Sequence, residues 1–514
     1  MKPEKTSDLF VRFGSNYRWF ATITVMLGTV SAMVTTTIVN VALPDIMGAF
    51  GVGQDRAQWL STGALAAMTI GMLVNSWLIQ SFGQRKTFIV AISIFICALL
   101  LAGSSPNETV LIFSRIAQGA IAGLLQPFAM YTIFRVFPHE QRGMAMGFFG
   151  LSVLLGPALG PTLGGLIIAN FNWRYIFYIA LPVCVLSLFM GNFFLPERED
   201  SGDRLPFDWF GFFLITVSIG CCLTGLSNGQ RQGWESSSII LLLAIAVVSM
   251  VYFIKYELNV ETPLINIKIF NNLTFSAATS VACIFGMGLF GSTYLVPLYV
   301  QTIQHFTPLS AGLLLMPAGI LMGITMPIAG YLSDRVKSYK MVIVGLLCFS
   351  ISSFWLSYVN SNMSFWSIAW ALMISRVGLA IIKPSLNLAA MRALPDEHLS
   401  QGAGMINFSR QLGGAFGVAL LSVTLDRRTF YHSDILTATQ TSANTSTTEL
   451  LRNVKNLLTQ TGLPDDIQLS NALNYLSRII HAQSSTLGFQ DSFLMVGLIF
   501  SLALIPTALM ARTR

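Results

Sequence analysis

The chain has 514 residues, of which 54% are hydrophobic and only 10% carry charge, with a formal net charge of +7. Ordinary soluble domains are about 25% charged, so the composition excludes a water-surrounded globular fold and reads as a polytopic membrane protein. Placement of the basic residues in loops accounts for the positive balance, so it points to no nucleic-acid partner.

Segments free of Asp, Glu, Lys and Arg run over 19–44, 57–84, 87–107, 143–173, 175–196, 209–230, 236–254, 269–333, 341–375 and 492–511. Each reaches the roughly 17 to 25 residues that a spanning helix needs, and 269–333 must hold two helices, divided near Gln301 to Leu309. Segments near 110–132, 365–391 and 402–424 are apolar but interrupted by basic residues, which brings the expected number of spans to fourteen. The first span is too long for a signal-peptide core and follows Lys2, Lys5, Arg12 and Arg18, so it reads as a retained helix.

With both termini on one side, the loops on that side hold 18 Lys and Arg, against three (Arg56, Arg174, Arg231) in the short loops opposite. The positive-inside rule makes the terminal side cytoplasmic, and basic loops facing anionic lipid need no other partner. All six cysteines fall in apolar spans without metal-ligand spacing and read as small hydrophobic fillers.

The sequence repeats. Gly330-Tyr331-Leu332-Ser333-Asp334-Arg335 closes the tenth span as Ser76-Trp77-Leu78-Ile79-Gln80-Ser81-Phe82-Gly83 closes the second. Arg115 recurs as Arg376, and Gly156 and Gly160 recur as Gly413 and Gly417. The offsets are nearly equal and predict two six-helix bundles in the same orientation, 1–200 and 269–514, flanking two inserted helices in 201–268. In the fifth span, Gly156-Pro157-Ala158-Leu159-Gly160-Pro161-Thr162-Leu163-Gly164-Gly165 sets three glycines on one helix face and adds two prolines. Two readings stand: close helix packing, or a bend in a moving bundle.

Taken with these features, Thr36-Thr37-Ile38-Val39-Asn40-Val41-Ala42-Leu43-Pro44, Arg115-Ile116-Ala117-Gln118-Gly119, Asn172-Trp173-Arg174-Tyr175-Ile176-Phe177 and Asn407-Phe408-Ser409-Arg410-Gln411-Leu412-Gly413-Gly414 resemble signatures of one family. The chain resembles the major facilitator superfamily, in its fourteen-helix drug:proton antiporter family 2 of the EmrB/QacA type, over essentially its full length. The resemblance implies an all-α fold of 6 + 2 + 6 spanning helices and export by alternating access coupled to proton entry, with no cofactor besides H⁺. It further implies an antiporter motif at Gly156, Pro157, Gly160, Pro161, Gly164 and Gly165, and a cytoplasmic gate at Gly83, Arg85, Asp334 and Arg335. The family usually carries Asp where this chain has Thr35 and Gln80. Thr35 and Asn40 are expected on the substrate and proton pathway, and Asp334, Asp45 and Lys383 compete as proton sites.

An ionisable group at bilayer depth costs at least about 2.5 to 3.5 kcal/mol and is a functional hypothesis by default. Arg115, Arg376, Lys383 and Arg410 lie there, whereas the 23 acidic residues fall in loops or near helix ends. Arg376 and Lys383 are seven residues apart and share a helix face. Either Lys383 snorkels to the headgroups while Arg376 bonds neighbouring carbonyls, or both face a cavity and attract an anionic or zwitterionic substrate.

The segment 425–489 is the one large extracytoplasmic region. Its Ser/Thr-rich middle reads as a tether, whereas the apolar spacing from Leu450 to Leu463 reads as a docking helix. The resemblance implies a periplasmic adaptor protein and an outer-membrane channel as partners of a bacterial inner-membrane exporter. An endogenous metabolite such as a siderophore is the alternative cargo. A membrane enzyme is disfavoured, because no phosphate loop, HExxH or serine elbow occurs. Short cytoplasmic loops disfavour a substrate-sensing receptor.

Overall fold

The computed structural model describes residues 6–198, 206–459 and 464–512, and among these no strand occurs. After a short amphipathic helix, Thr6–Phe13, the first six long helices are α1 (Tyr17–Phe50), α2 (Trp59–Phe82), α3 (Gln84–Gly103), α4 (Glu108–Val136), α5 (Arg142–Asn170) and α6 (Leu181–Phe194). Two inserted helices follow, α7 (Trp209–Gln232) and α8 (Ser237–Glu257). The last six are α9 (Leu273–Thr302), α10 (Pro308–Arg335), α11 (Ser338–Leu356), α12 (Phe365–Arg392), α13 (Leu399–Ala438) and α14 (Asp465–Leu502, continued by Leu504–Arg512). Twelve helical stretches among the described residues are long and apolar enough to cross a membrane, and α5 and α13 complete the fourteen. The division of 269–333 falls where expected, between Thr302 and Pro308. The boundary expected at 200/201 lies outside the described residues.

Packing repeats as the sequence does. α1 packs on α4, α5 and α6, while α2 packs on α4 and α3 on α4 and α6. The same pairs recur as α9 with α12, α13 and α14, α10 with α12, and α11 with α12 and α14. Glycines set the close approaches. A Cβ on Gly156 would lie 2.6 Å from the Met33 carbonyl carbon, and one on Gly417 would lie 2.5 Å from the Met287 Cα. Gly160 meets Thr37 and Gly413 meets Cys283 in the same manner. The expected motif glycines at 156, 160 and 164 therefore fit α5 against α1. Gly165 meets nothing within 4 Å and plays no part in that contact. The Pro157 and Pro161 side chains lie outside the described residues.

The tightest approach in the first bundle brings Gly123 of α4 onto the Met68 carbonyl of α2. No flexible side chain can yield there. Gly123→Leu is expected to abolish folded protein in the membrane, because the backbones must separate at a cost of ~3 kcal/mol or more, the upper end of what overpacking usually costs. Gly165→Leu is expected to leave yield unchanged. Gel-filtration recovery of the two variants checks the contrast.

The region 425–489 departs from a tether. α13 runs 40 residues, about 60 Å at 1.5 Å per residue, against a hydrocarbon core of about 30 Å. No Gly or Pro stops it after Leu425. α14 begins directly after Pro464 rather than near 492, so both helices project past the bilayer on the face opposite the termini. Asp491 of α14 accepts from Arg428 Nε (2.5 Å) and lies 2.7 Å from His432 Nε2 of α13, which clamps the projection. A 15-residue helix, Thr445–Thr459, lies between them and packs on α14. Residues 460–463, where the amphipathic stretch was expected to end, are outside the described residues. Asp426 and Asp491 accordingly sit inside long helices, not at helix ends.

Candidate substrate site and terminal-face gate

The two bundles meet along α5 with α10 and α2 with α13, and more centrally α4 with α13 and α5 with α12. Lys383 of α12 and Arg410 of α13 lie on this seam. Both are buried, at 4% and 7% exposure. Lys383 Nζ donates to the Gly150 carbonyl of α5 (3.4 Å) and sits 5.9 Å from the centre of the Phe149 ring. Arg410 Nη2 donates to Gln126 Oε1 of α4 (2.6 Å) and Asn407 Oδ1 (3.3 Å). Gln126 Nε2 in turn contacts Met33 Sδ, and Asn407 Nδ2 contacts Met130 Sδ, both at 3.5 Å. Each cation thus reaches from the second bundle to the first. At 1.5 Å per residue, Lys383 lies about 13 Å along α12 from Arg392, and Arg410 about 16 Å along α13 from Leu399, which puts both near mid-bilayer.

Among the described residues no carboxylate pairs with either one; the ion pairs all lie elsewhere. Two buried like charges stand together, supported only by neutral acceptors. Such a site is short of negative charge. Lys383 does not snorkel, because its ammonium crosses to α5. Arg376 is 8% exposed, and among the described residues it makes no hydrogen bond to a neighbouring carbonyl.

Arg115, its counterpart in the first bundle, is buried and held by neighbouring helices. Its Nε donates to the Leu60 carbonyl (3.3 Å), and its Nη1 donates to the Thr35 carbonyl (3.1 Å) and Gln118 Oε1 (2.8 Å), tying α4 to α2 and α1. The Thr35 hydroxyl donates to the Ser31 carbonyl (2.7 Å), within α1. Asn40 lies exposed, its Oδ1 accepting from Ser61 Oγ (2.9 Å). The structure therefore brings Lys383 and Arg410 together and keeps Arg115, Thr35 and Asn40 apart from them. Gln126 was not foreseen, and Asn407 entered only as part of the Asn407 to Gly414 signature, not as a partner of Arg410. The signal for Gln126 is a lone amide in an otherwise apolar stretch beside Pro127.

At the terminal face, Asp334 closes the seam. Its two oxygens accept from the Gly143 (2.7 Å) and Met144 (2.9 Å) backbone N–H groups at the start of α5. α5 has no side-chain cap of its own. Arg392 Nη2 reaches Asp334 (3.4 Å) and the His139 carbonyl (2.8 Å). Arg392, not Arg335, is the partner: Arg335 stacks over Tyr331, 4.4 Å from the ring centre, on its own helix. The helical register explains this, because the residue after Asp334 points about 100° around α10.

Gly83 and Arg85 also stand apart from the seam. Arg85 pairs with Glu197 (2.9 Å) at the end of α6. Gly83 holds φ +80°, a conformation that favours glycine, with Arg198 packed against it. The repeat is visible here too: Gly147 meets the Met326 carbonyl as Gly404 meets the Met72 carbonyl, each with a Cβ-to-oxygen approach of 2.7 Å. Gln80, the counterpart of Asp334, donates to Ser76 Oγ (3.3 Å) instead, and α13 starts without a side-chain cap.

Two like-oriented six-helix bundles with two further helices inserted between them, meeting around a buried polar centre, define a multi-pass membrane transporter. Residues 25–418 match the Major Facilitator Superfamily, and the chain belongs to that family, as the motifs led one to expect. It is 28% identical over 500 residues to the fatty acid resistance protein FarB of Neisseria gonorrhoeae, covering 97% of each chain. It is 29% identical over 418 residues to the multidrug export protein EmrB of Escherichia coli K12, covering 81% of this chain and 82% of that one. The proton:xylose symporter XylE superposes with a TM-score of 0.60 at 13% identity, covering 96% of this chain and 95% of that one, a likeness of fold.

Proposed function

We propose that the protein is a proton-gradient-driven exporter of amphipathic small molecules that alternates the central seam between the two membrane faces, with Lys383 and Arg410 receiving an anionic or zwitterionic head group. The observation that carries the reading is the pair of buried cations bridging the bundles with no carboxylate paired to them among the described residues. The Met33, Met130 and Phe149 side chains around them supply adaptable apolar surface for the rest of an amphipath. The similarity to proteins named for multidrug export and fatty acid resistance supports export, and a fatty acid is itself an anionic amphipath.

In this reading the protein sits in a bacterial inner membrane with both termini cytoplasmic, and H⁺ is the coupling ion. The projecting α13–α14 hairpin faces a periplasmic adaptor protein and an outer-membrane channel. Thr35 and Gln80 hold no charge, so Asp334, Lys383 and Asp45 remain the proton-carrying candidates. An endogenous anionic metabolite would satisfy the same site. Proteoliposomes with an imposed pH difference test it: an anionic amphipath is expected to move against a counterflow of protons. No solute movement under either sign of the gradient overturns the proposal.

A further inference from the structure

The inserted helices carry a second buried group that the transport reading does not use. Asp208, just before α7, and Glu257, the last residue of α8, are 9% and 3% exposed at the terminal face. Asp208 Oδ1 accepts from the Gly211 N–H (2.9 Å) and the Tyr256 hydroxyl (3.2 Å). Glu257 Oε2 accepts from the Ile265 N–H (3.4 Å), in the linker entering α9. The other oxygen of each, Asp208 Oδ2 and Glu257 Oε1, is buried without a partner. Both orphaned oxygens face the same point above Gly211, where a Cβ would strike them, so the two carboxyl groups face each other across it.

Among the described residues, the charged and titratable groups facing the pair are these two carboxyls and Tyr256. The 258–265 linker contributes backbone N–H groups, and no Lys, Arg or His among the described residues pairs with either acid. Two ionised carboxylates cannot stay together out of water without a counter-charge. A single proton placed between Oδ2 and Oε1 satisfies both orphaned oxygens at once and removes the like-charge repulsion.

We propose that Asp208 and Glu257 share one proton, and that this proton-binding site fastens the two-helix insert to the linker entering the second bundle. When the proton leaves, two buried anions face each other and the Ile265 contact loosens. The latch joins the start of α7, the end of α8 and the approach to α9, which are the insert's attachments to the chain on this face.

Infrared spectroscopy of the full-length protein in lipid nanodiscs reads the proton directly. At neutral pH the wild type is expected to show one carboxylic-acid C=O stretching band that Asp208→Asn and Glu257→Gln each remove, the double variant removing no more than either single one. Raising the pH is expected to convert that band into carboxylate absorption in the wild type alone. If Glu257→Gln fails to fold, Asp208→Asn and the wild-type titration read the same loss. Absence of the band at neutral pH, its persistence in a folded variant, or carboxylate bands that shift on adding Na⁺ or Ca²⁺ in place of a protonated band each overturn the proposal.

Discussion

Lys383→Met is expected to lower export of anionic amphipaths by about 10- to 100-fold, to leave cationic ones unaffected, and to raise the thermal stability of the purified protein. Met keeps the length of the side chain and removes its charge. A hydrogen bond to a charged group contributes about 1.5 to 3 kcal/mol, and each 1.4 kcal/mol is a factor of ten, which sets the range. Stability should move the other way, because the ammonium is buried near Arg410 with only the Gly150 carbonyl as a hydrogen-bond acceptor among the described residues, and an uncompensated charge in a low-dielectric interior costs more than it returns. Arg115→Met supplies the contrast. Its guanidinium holds carbonyls of α1 and α2, so its loss is expected to reduce folded yield without changing the charge preference of the transport that remains. Transport of matched anionic and cationic amphipaths, with melting temperatures for both variants, separates the cases. Equal losses for both charge classes in Lys383→Met would sink the anion reading.

The helices were legible because hydrocarbon tolerates so few charges: the charge-free runs located the spans, and the buried cations stood out by their cost. Neutral partners carry no such signal. Gln126 and Asn407 hold Arg410 in place, yet an amide in an apolar run looks like any other polar interruption. Helix ends beyond the bilayer were equally hidden. Hydropathy stops at the membrane surface, whereas α13 continues to Ala438 because its backbone meets no breaker and Asp491 clamps it through Arg428 and His432. The gate was half legible. Asp334 was implied by the family resemblance, but Arg392 lies 58 residues away in sequence and reaches it only once α12 packs beside α10. Gly165 shows the converse, where a motif position has no packing role on the described surface.

Asp334→Ala is expected to shift the resting protein toward opening at the terminal face by about one to two powers of ten. The carboxylate caps α5 from a neighbouring helix, accepting from Gly143 and Met144 where α5 has no cap of its own. Removing a cap costs about 0.5 to 2 kcal/mol, and losing a negative charge at a helix N-terminus costs about 0.3 to 1 kcal/mol more. That energy is present only while α5 and α10 are in contact, so it biases the closed state and not the fold. Asp334→Asn retains an acceptor for one N–H and is expected to fall between. Spin labels on the exposed Glu140 and Lys337 positions would report the opening as a longer, broader distance distribution. Gln80→Asp runs the experiment in reverse: at the position related to Asp334 by the repeat, a carboxylate would face the uncapped start of α13 and hold the α2–α13 side of the seam shut, slowing turnover. If Asp334→Ala leaves the distances unchanged while Gln80→Asp leaves the rate unchanged, the charge–helix contact is not what holds this face closed.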